Sequence, residues 1–109
     1  MSLEAILQIV TRWFVASGGA SMKLPSGWFG RPFDNRHQLT SARLMTGRLL
    51  IELDDRMLLV LAHPESAVGS DGDVLRIGGF RHGTLTWDEY GGSGGDIETF
   101  GIGEVEFHA

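Results

Sequence analysis

Arg31, Asp34 and His37 sit three residues apart from one another, in a stretch that also holds Trp28, Phe29 and Asn35. If residues 34–37 make one helical turn, Asp34 can orient the His37 imidazole, and the pair then has the makings of a general base. Arg31 would offer a guanidinium to an anionic group, and Trp28 and Phe29 an aromatic wall to a planar or apolar body. The candidate ligand-binding set is therefore Trp28, Phe29, Arg31, Asp34, Asn35 and His37. The same residues serve a structural role equally well. Gly30 and Pro32 set a turn, Asp34 or Asn35 caps backbone amides, Arg31 neutralises Asp34, and the aromatics plug a core.

Other chemistry finds less support. The chain has no cysteine, which excludes disulfides, thiolate catalysis and cysteine-held metal clusters. His37, His63, His82 and His108 are far apart in sequence, so no metal site is expected. Asp54-Asp55 and Asp71-Gly72-Asp73 fall short of a calcium loop and read as solvated or capping turns. The glycine pairs and runs at 78–79 and 91–95 lack the strand–loop–helix setting and the Lys of a phosphate loop. No serine stands in a nucleophile elbow. No catalytic residue, cofactor or reaction is named by these patterns.

The elements that must hold the loop are clearer. The spacing of Leu3, Ile6, Leu7, Val10, Trp13 and Phe14 predicts an amphipathic helix over residues 2–16, with Ser2 as N-cap, Glu4 in the first turn and Gly18-Gly19 as the stop. Trp13 and Phe14 belong to its buried stripe. Beyond Gly18 the period changes to that of strands. Ser21–Leu24 can extend, and residues 38–45 can alternate. Arg48–Leu53 and Met57–Ala62, joined by an Asp-rich connection, form the strongest hairpin signal. Residues 63–73 read as a turn-rich connection. Val74–Phe80 reads as a strand in which Gly78-Gly79 mark a bulge or a close backbone approach. Thr84–Tyr90 and Glu104–His108 alternate as strands, with Leu85, Trp87, Val105 and Phe107 facing in, and Gly91–Gly95 reads as a flexible connector. The expected fold is one α+β domain over residues 1–109. Its helix packs on a curved, mostly antiparallel sheet of about six strands, a meander or half-open barrel.

Composition bounds the partners. With 109 residues, 42% hydrophobic and 21% charged, the chain supports one core. A net charge of −5 with scattered basic residues disfavours nucleic acid and anionic membrane. No 18-residue apolar span is present, and the N-terminal apolar stretch is interrupted by Glu4, Gln8 and Arg12, unlike a secretory leader, so a soluble cytoplasmic protein is expected. Residues 48–62 point beyond one chain. Leu49, Ile51 and Leu53 face one way, with Leu50 sharing the other face with Arg48 and Glu52, and Met57, Leu59 and Leu61 oppose Leu58 and Val60. Strands apolar on both faces are covered on both. One helix covers one face, so the second calls for loops, curvature or another subunit, and a homo-oligomer, most simply a dimer, is expected.

The run Leu24-Pro-Ser-Gly-Trp-Phe-Gly-Arg-Pro-Phe-Asp-Asn-Arg-His37, followed by Leu49-Leu-Ile-Glu-Leu-Asp-Asp55, resembles a group of small bacterial proteins with an LPxGWFGRPxDNxH-like loop. The likeness spans residues 24 to 90 and implies a bacterial single-domain protein. It implies no activity and no functional residue. The sequence reading is thus a non-enzymatic binding or interaction module, self-associating, with residues 24–37 meeting a small molecule or protein. The alternative is a small-ligand-binding protein or enzyme using Arg31, Asp34 and His37 in a pocket.

Overall fold

A computed structural model describes residues 1–30, 36–70, 73–87 and 96–109. It opens with helix α1, Leu3–Ser17. Ser2 caps it, its Oγ accepting from the Ala5 N–H at 3.1 Å. Gly18 ends it with a left-handed φ of 73°, its N–H donating to the Phe14 carbonyl at 3.0 Å. Ile6, Val10, Trp13 and Phe14 are its buried stripe, as the helical spacing requires.

The strands follow as β1 (Ser21–Leu24), β2 (Gly27–Trp28), β3 (Leu39–Met45), β4 (Arg48–Leu53) and β5 (Met57–Ala62). Then come β6 (Ser66–Ser70), β7 (Val74–Phe80), β8 (Gly83–Trp87), β9 (Asp96–Phe100) and β10 (Gly103–His108). They do not form a single curved sheet of about six strands. Among the described residues they form two antiparallel sheets of five, in the orders β2-β1-β10-β7-β6 and β3-β4-β5-β8-β9. The α+β class stands, and the strand count and sheet partition are corrected. Two pieces escaped the pattern. β2 is two residues long inside the Pro/Gly-rich loop, and β6 lies in the segment read as turns, where serine and glycine leave only Ala67 to show the buried parity.

The inner faces of the two sheets make one core. Met22, Leu24, Leu75, Ile77, Val105 and Phe107 come from the first sheet, and Leu49, Ile51, Leu53, Leu59, Leu61 and Leu85 from the second. Helix α1 packs on β3 and β6, the terminal strands of the two sheets, so its stripe closes one open side between them. That placement covers two strand edges that would otherwise expose unpaired backbone groups. No described helix is long and apolar enough to cross a membrane.

The chain passes between sheets at a shared corner. The Ala62 N–H donates to the His82 carbonyl at 2.9 Å and the Arg81 N–H to the Ala62 carbonyl at 3.0 Å, so β5 leaves its sheet where β8 enters it. The expected bulge is present. Gly79 has a φ of 74°, and the β7–β10 register shifts between Gly103 and Glu104. Gly83, at the same corner, is buried, and a Cβ there would overlap the Phe100 ring and come within 2.9 Å of Leu61. Gly83→Ala is expected to destabilise the domain by about 1–3 kcal/mol through overpacking. Urea denaturation checks this: the midpoint falls and the slope stays constant, whereas an unchanged midpoint means that the corner yields freely.

Candidate functional site

The residues of the 24–37 loop part company in the structure. Trp28 and Phe29 are neighbours at the end of β2, so they point to opposite faces. Trp28 turns outward and is 40% exposed. Its ring meets the His108 ring edge-on at 4.8 Å, and the Lys23 ammonium lies 5.6 Å from its centroid. Phe29 turns inward, packs on the core, and meets Trp87 edge-on at 5.0 Å and His37 at 5.9 Å. Arg31, Asp34 and Asn35 lie outside the described residues, as do Tyr90 and the Gly91–Gly95 connector.

His37 is buried and tied down on several sides. Its N–H donates to the Ala20 carbonyl at 2.7 Å and its carbonyl accepts from the Ala20 N–H at 2.9 Å, a bridge joining the entries to β1 and β3. Next to it, Arg36 donates to the Gly19 carbonyl at 2.7 Å. The carboxylate on its Nδ1 is that of Asp54, at 2.8 Å, on the β4–β5 turn. With a proton on Nδ1 donated to Asp54, Nε2 carries a lone pair. That atom is buried without a hydrogen-bond partner among the described residues.

Asp54 is the residue that sequence reasoning passed over. Its second oxygen, Oδ1, accepts from the Gln38 N–H at 2.9 Å, and its own N–H donates to the Gln38 carbonyl at 3.0 Å. The Asp55 N–H adds a bond to Thr40 Oγ at 2.8 Å. Asp54 and Asp55 have φ values of 54° and 58°, and the Arg56 N–H donates back to the Leu53 carbonyl at 3.1 Å. Two consecutive left-handed residues are what a type I′ hairpin turn demands, usually met by Asn-Gly. An Asp-Asp pair in that place is the sequence signal that a side chain there has a partner elsewhere. The arrangement knots the β4–β5 turn to the entry of β3.

Chemically, Asp54 and His37 have the orientation of a carboxylate–imidazole pair. Yet the His37 side chain is only 8% exposed, and a general base must come within hydrogen-bond reach of the proton it takes. Among the described residues no three His, Asp or Glu side chains converge as metal ligands. A separate shallow groove of about 460 Å³ runs between α1 and β6, lined by Ile9, Arg12, Trp13, Ala67, Val68 and Gly69. It was hidden in the sequence because β6 was.

The two outer faces contrast. Across the first sheet, Trp28, Lys23, Glu106, Arg76 and Val68 stand side by side in register. Glu106 Oε1 accepts from His108 Nε2 at 2.9 Å and lies 3.8 Å from Arg76 Nε. The second sheet gathers apolar residues at the middle of its outer face, with Arg43, Arg48 and Glu52 around them and threonines on β8 and β9. Leu50 pairs with Val60, Leu58 with Thr86, and Thr86 with Ile97, which is 64% exposed. Compared with known protein families, curated proteins and solved structures, the chain matches none.

The knot makes a contrast that mutation can read. Asp54→Ala removes both carboxylate bonds and leaves His37 Nδ1 buried and unsatisfied, a loss of about 2–4 kcal/mol. Asp55→Gly keeps its backbone bond, and the relief of left-handed strain offsets the added chain entropy to within about 0.5 kcal/mol. Thermal unfolding of the two variants measures the difference, and equal effects would mean that the Asp54 carboxylate does not hold the turn.

Proposed function

We propose that the chain is a non-enzymatic binding module that self-associates through the outer face of the β3–β9 sheet. The observation that carries this reading is the apolar surface of Leu50, Leu58 and Val60, placed side by side on β4 and β5 and facing away from the core cluster. The other outer face is a charged ladder of the kind water solvates. A sheet with one solvated face reads as alternating polar and apolar, and β4 and β5 break that rule. On this face Leu50 is buried, Leu58 and Val60 are half-buried and Ile97 is exposed, and apolar side chains left partly in water side by side mark a contact surface.

Within the loop of residues 24–37, the ligand or partner surface centres on Trp28. Its exposed ring, flanked by Lys23 and His108, has the aromatic and cationic character that contact surfaces favour. Phe29 and His37 serve the core from the other side. His37 Nε2, buried with no hydrogen-bond partner among the described residues, favours a second reading: a small-ligand-binding protein or enzyme that uses Arg31, Asp34 and His37.

Sedimentation at roughly micromolar concentration separates the readings. The expected result is a dimer, and Val60→Glu, which sets a carboxylate in the middle of the apolar face, gives a monomer with unchanged circular dichroism. Arg76→Ala, on the opposite face, leaves the dimer intact. A wild type that stays monomeric at every concentration removes the proposal.

A further inference from the structure

We infer that the outer face of the β3–β9 sheet receives a second copy of this chain, stacked with its strands antiparallel. Arg48 of each protomer then meets Glu52 of the partner subunit. The inference rests on the self-association proposed above and specifies its geometry.

The outward positions of β4 read Arg48, Leu50, Glu52: a cation, an apolar residue and a carboxylate, each step two residues apart. In a strand that step is about 7 Å. Arg48 is exposed, and no ion pair joins it to another described residue. Glu52 is half-buried and accepts from Ser41 Oγ at 3.2 Å, which leaves its carboxylate free to take further donors. Between them Leu50 is 8% exposed and belongs to no part of the core cluster.

Two sheets packed face to face about a two-fold axis have two simple choices. If the axis runs along β4, strand direction is kept, and Arg48 falls over Arg48 and Glu52 over Glu52. If the axis runs across the strands through the row of Leu50 and Val60, direction reverses. Leu50 and Val60 then pack on their own counterparts, Leu58 lies over Ala62, and Arg48 lies over Glu52 twice. Facing sheets stand about 10 Å apart, a gap that an arginine and a glutamate span together. Like charges facing each other across such a gap oppose the first arrangement, and opposite charges steer and fix the second. Arg43, at the β3 end of the same row, lies over its own counterpart at the margin of the contact. There it is exposed and its guanidinium donates to Ser41 Oγ at 3.3 Å, so water screens this one like-charge pair against the two Arg48–Glu52 contacts.

Charge reversal tests the register. R48E and E52R are made separately, and each is expected to dimerise at least about tenfold more weakly than wild type, because each places like charges in both contacts. Mixed in equal amounts they form a one-to-one heterodimer, resolved from either homodimer by native mass spectrometry, and the R48E/E52R double variant regains the homodimer. Circular dichroism of each variant controls for folding, with E52K in place of E52R should the latter fail to fold. If wild type dimerises and R48E and E52R each dimerise as tightly as it does, the antiparallel register is wrong and self-association stands. If wild type does not dimerise at any concentration, both are overturned.

Discussion

Everything in this fold depends on the inner faces of β4 and β5 meeting the inner faces of β1, β7 and β10. Leu49, Ile51, Leu53, Leu59 and Leu61 on one side, and Met22, Leu75, Ile77, Val105 and Phe107 on the other, are sealed from water. Each such side chain contributes on the order of 1.5–3 kcal/mol by burial, which makes this meeting the largest single source of stability in a chain of 109 residues. The rest is arranged to permit it. Helix α1 closes one open side, and the corner at Ala62, Arg81 and His82 lets the chain alternate between sheets without leaving buried backbone groups unpaired.

The hairpin at the centre of that packing is fixed by its ends. At one end Thr46 and Gly47, with φ values of 52° and 77°, make the β3–β4 turn between Met45 and Arg48. At the other, Asp54 and Asp55 take the same hand of backbone at a cost that glycine avoids. Hydrogen bonds that the Asp54 carboxylate accepts from His37 Nδ1 and the Gln38 N–H offset that cost. The turn therefore sets the register of β4 with β5 and holds the entry of β3 against it. A slip of one residue would send every buried leucine to the outer face.

Local signals in the sequence were read well because their causes are local. The helix, its Ser2 and Gly18 caps, the hairpin and the Gly78-Gly79 bulge follow from spacing and from residue types with one dominant conformation. Non-local pairings left no such trace. That β10 lies between β1 and β7 is a matter of which apolar strip finds which, and several strips here are chemically alike. The site behaved in the same way. His37 was legible as a special residue, but its carboxylate partner comes from Asp54, seventeen positions on, and nothing local to either residue selects that pairing. Trp28 and Phe29 were read as one aromatic wall because the loop's glycines and prolines hid the two-residue strand that turns them apart.

The functional account follows from the unequal outer faces. On the first sheet Lys23, Glu106 and Arg76 alternate in charge across the strands, with Trp28 at the margin. On the second, Leu50, Leu58 and Val60 cluster at outward positions of β4 and β5, with Arg48, Glu52 and Arg43 around them. Its central claim, that this second face is a contact between copies, is read most directly by amide chemical shifts of the isotopically labelled protein over a dilution series. Concentration-dependent shifts confined to residues 48–52, 58–62 and 84–86 are the expected result. Shifts that do not change with concentration, or that appear instead at Lys23, Arg76 and Glu106, would contradict it.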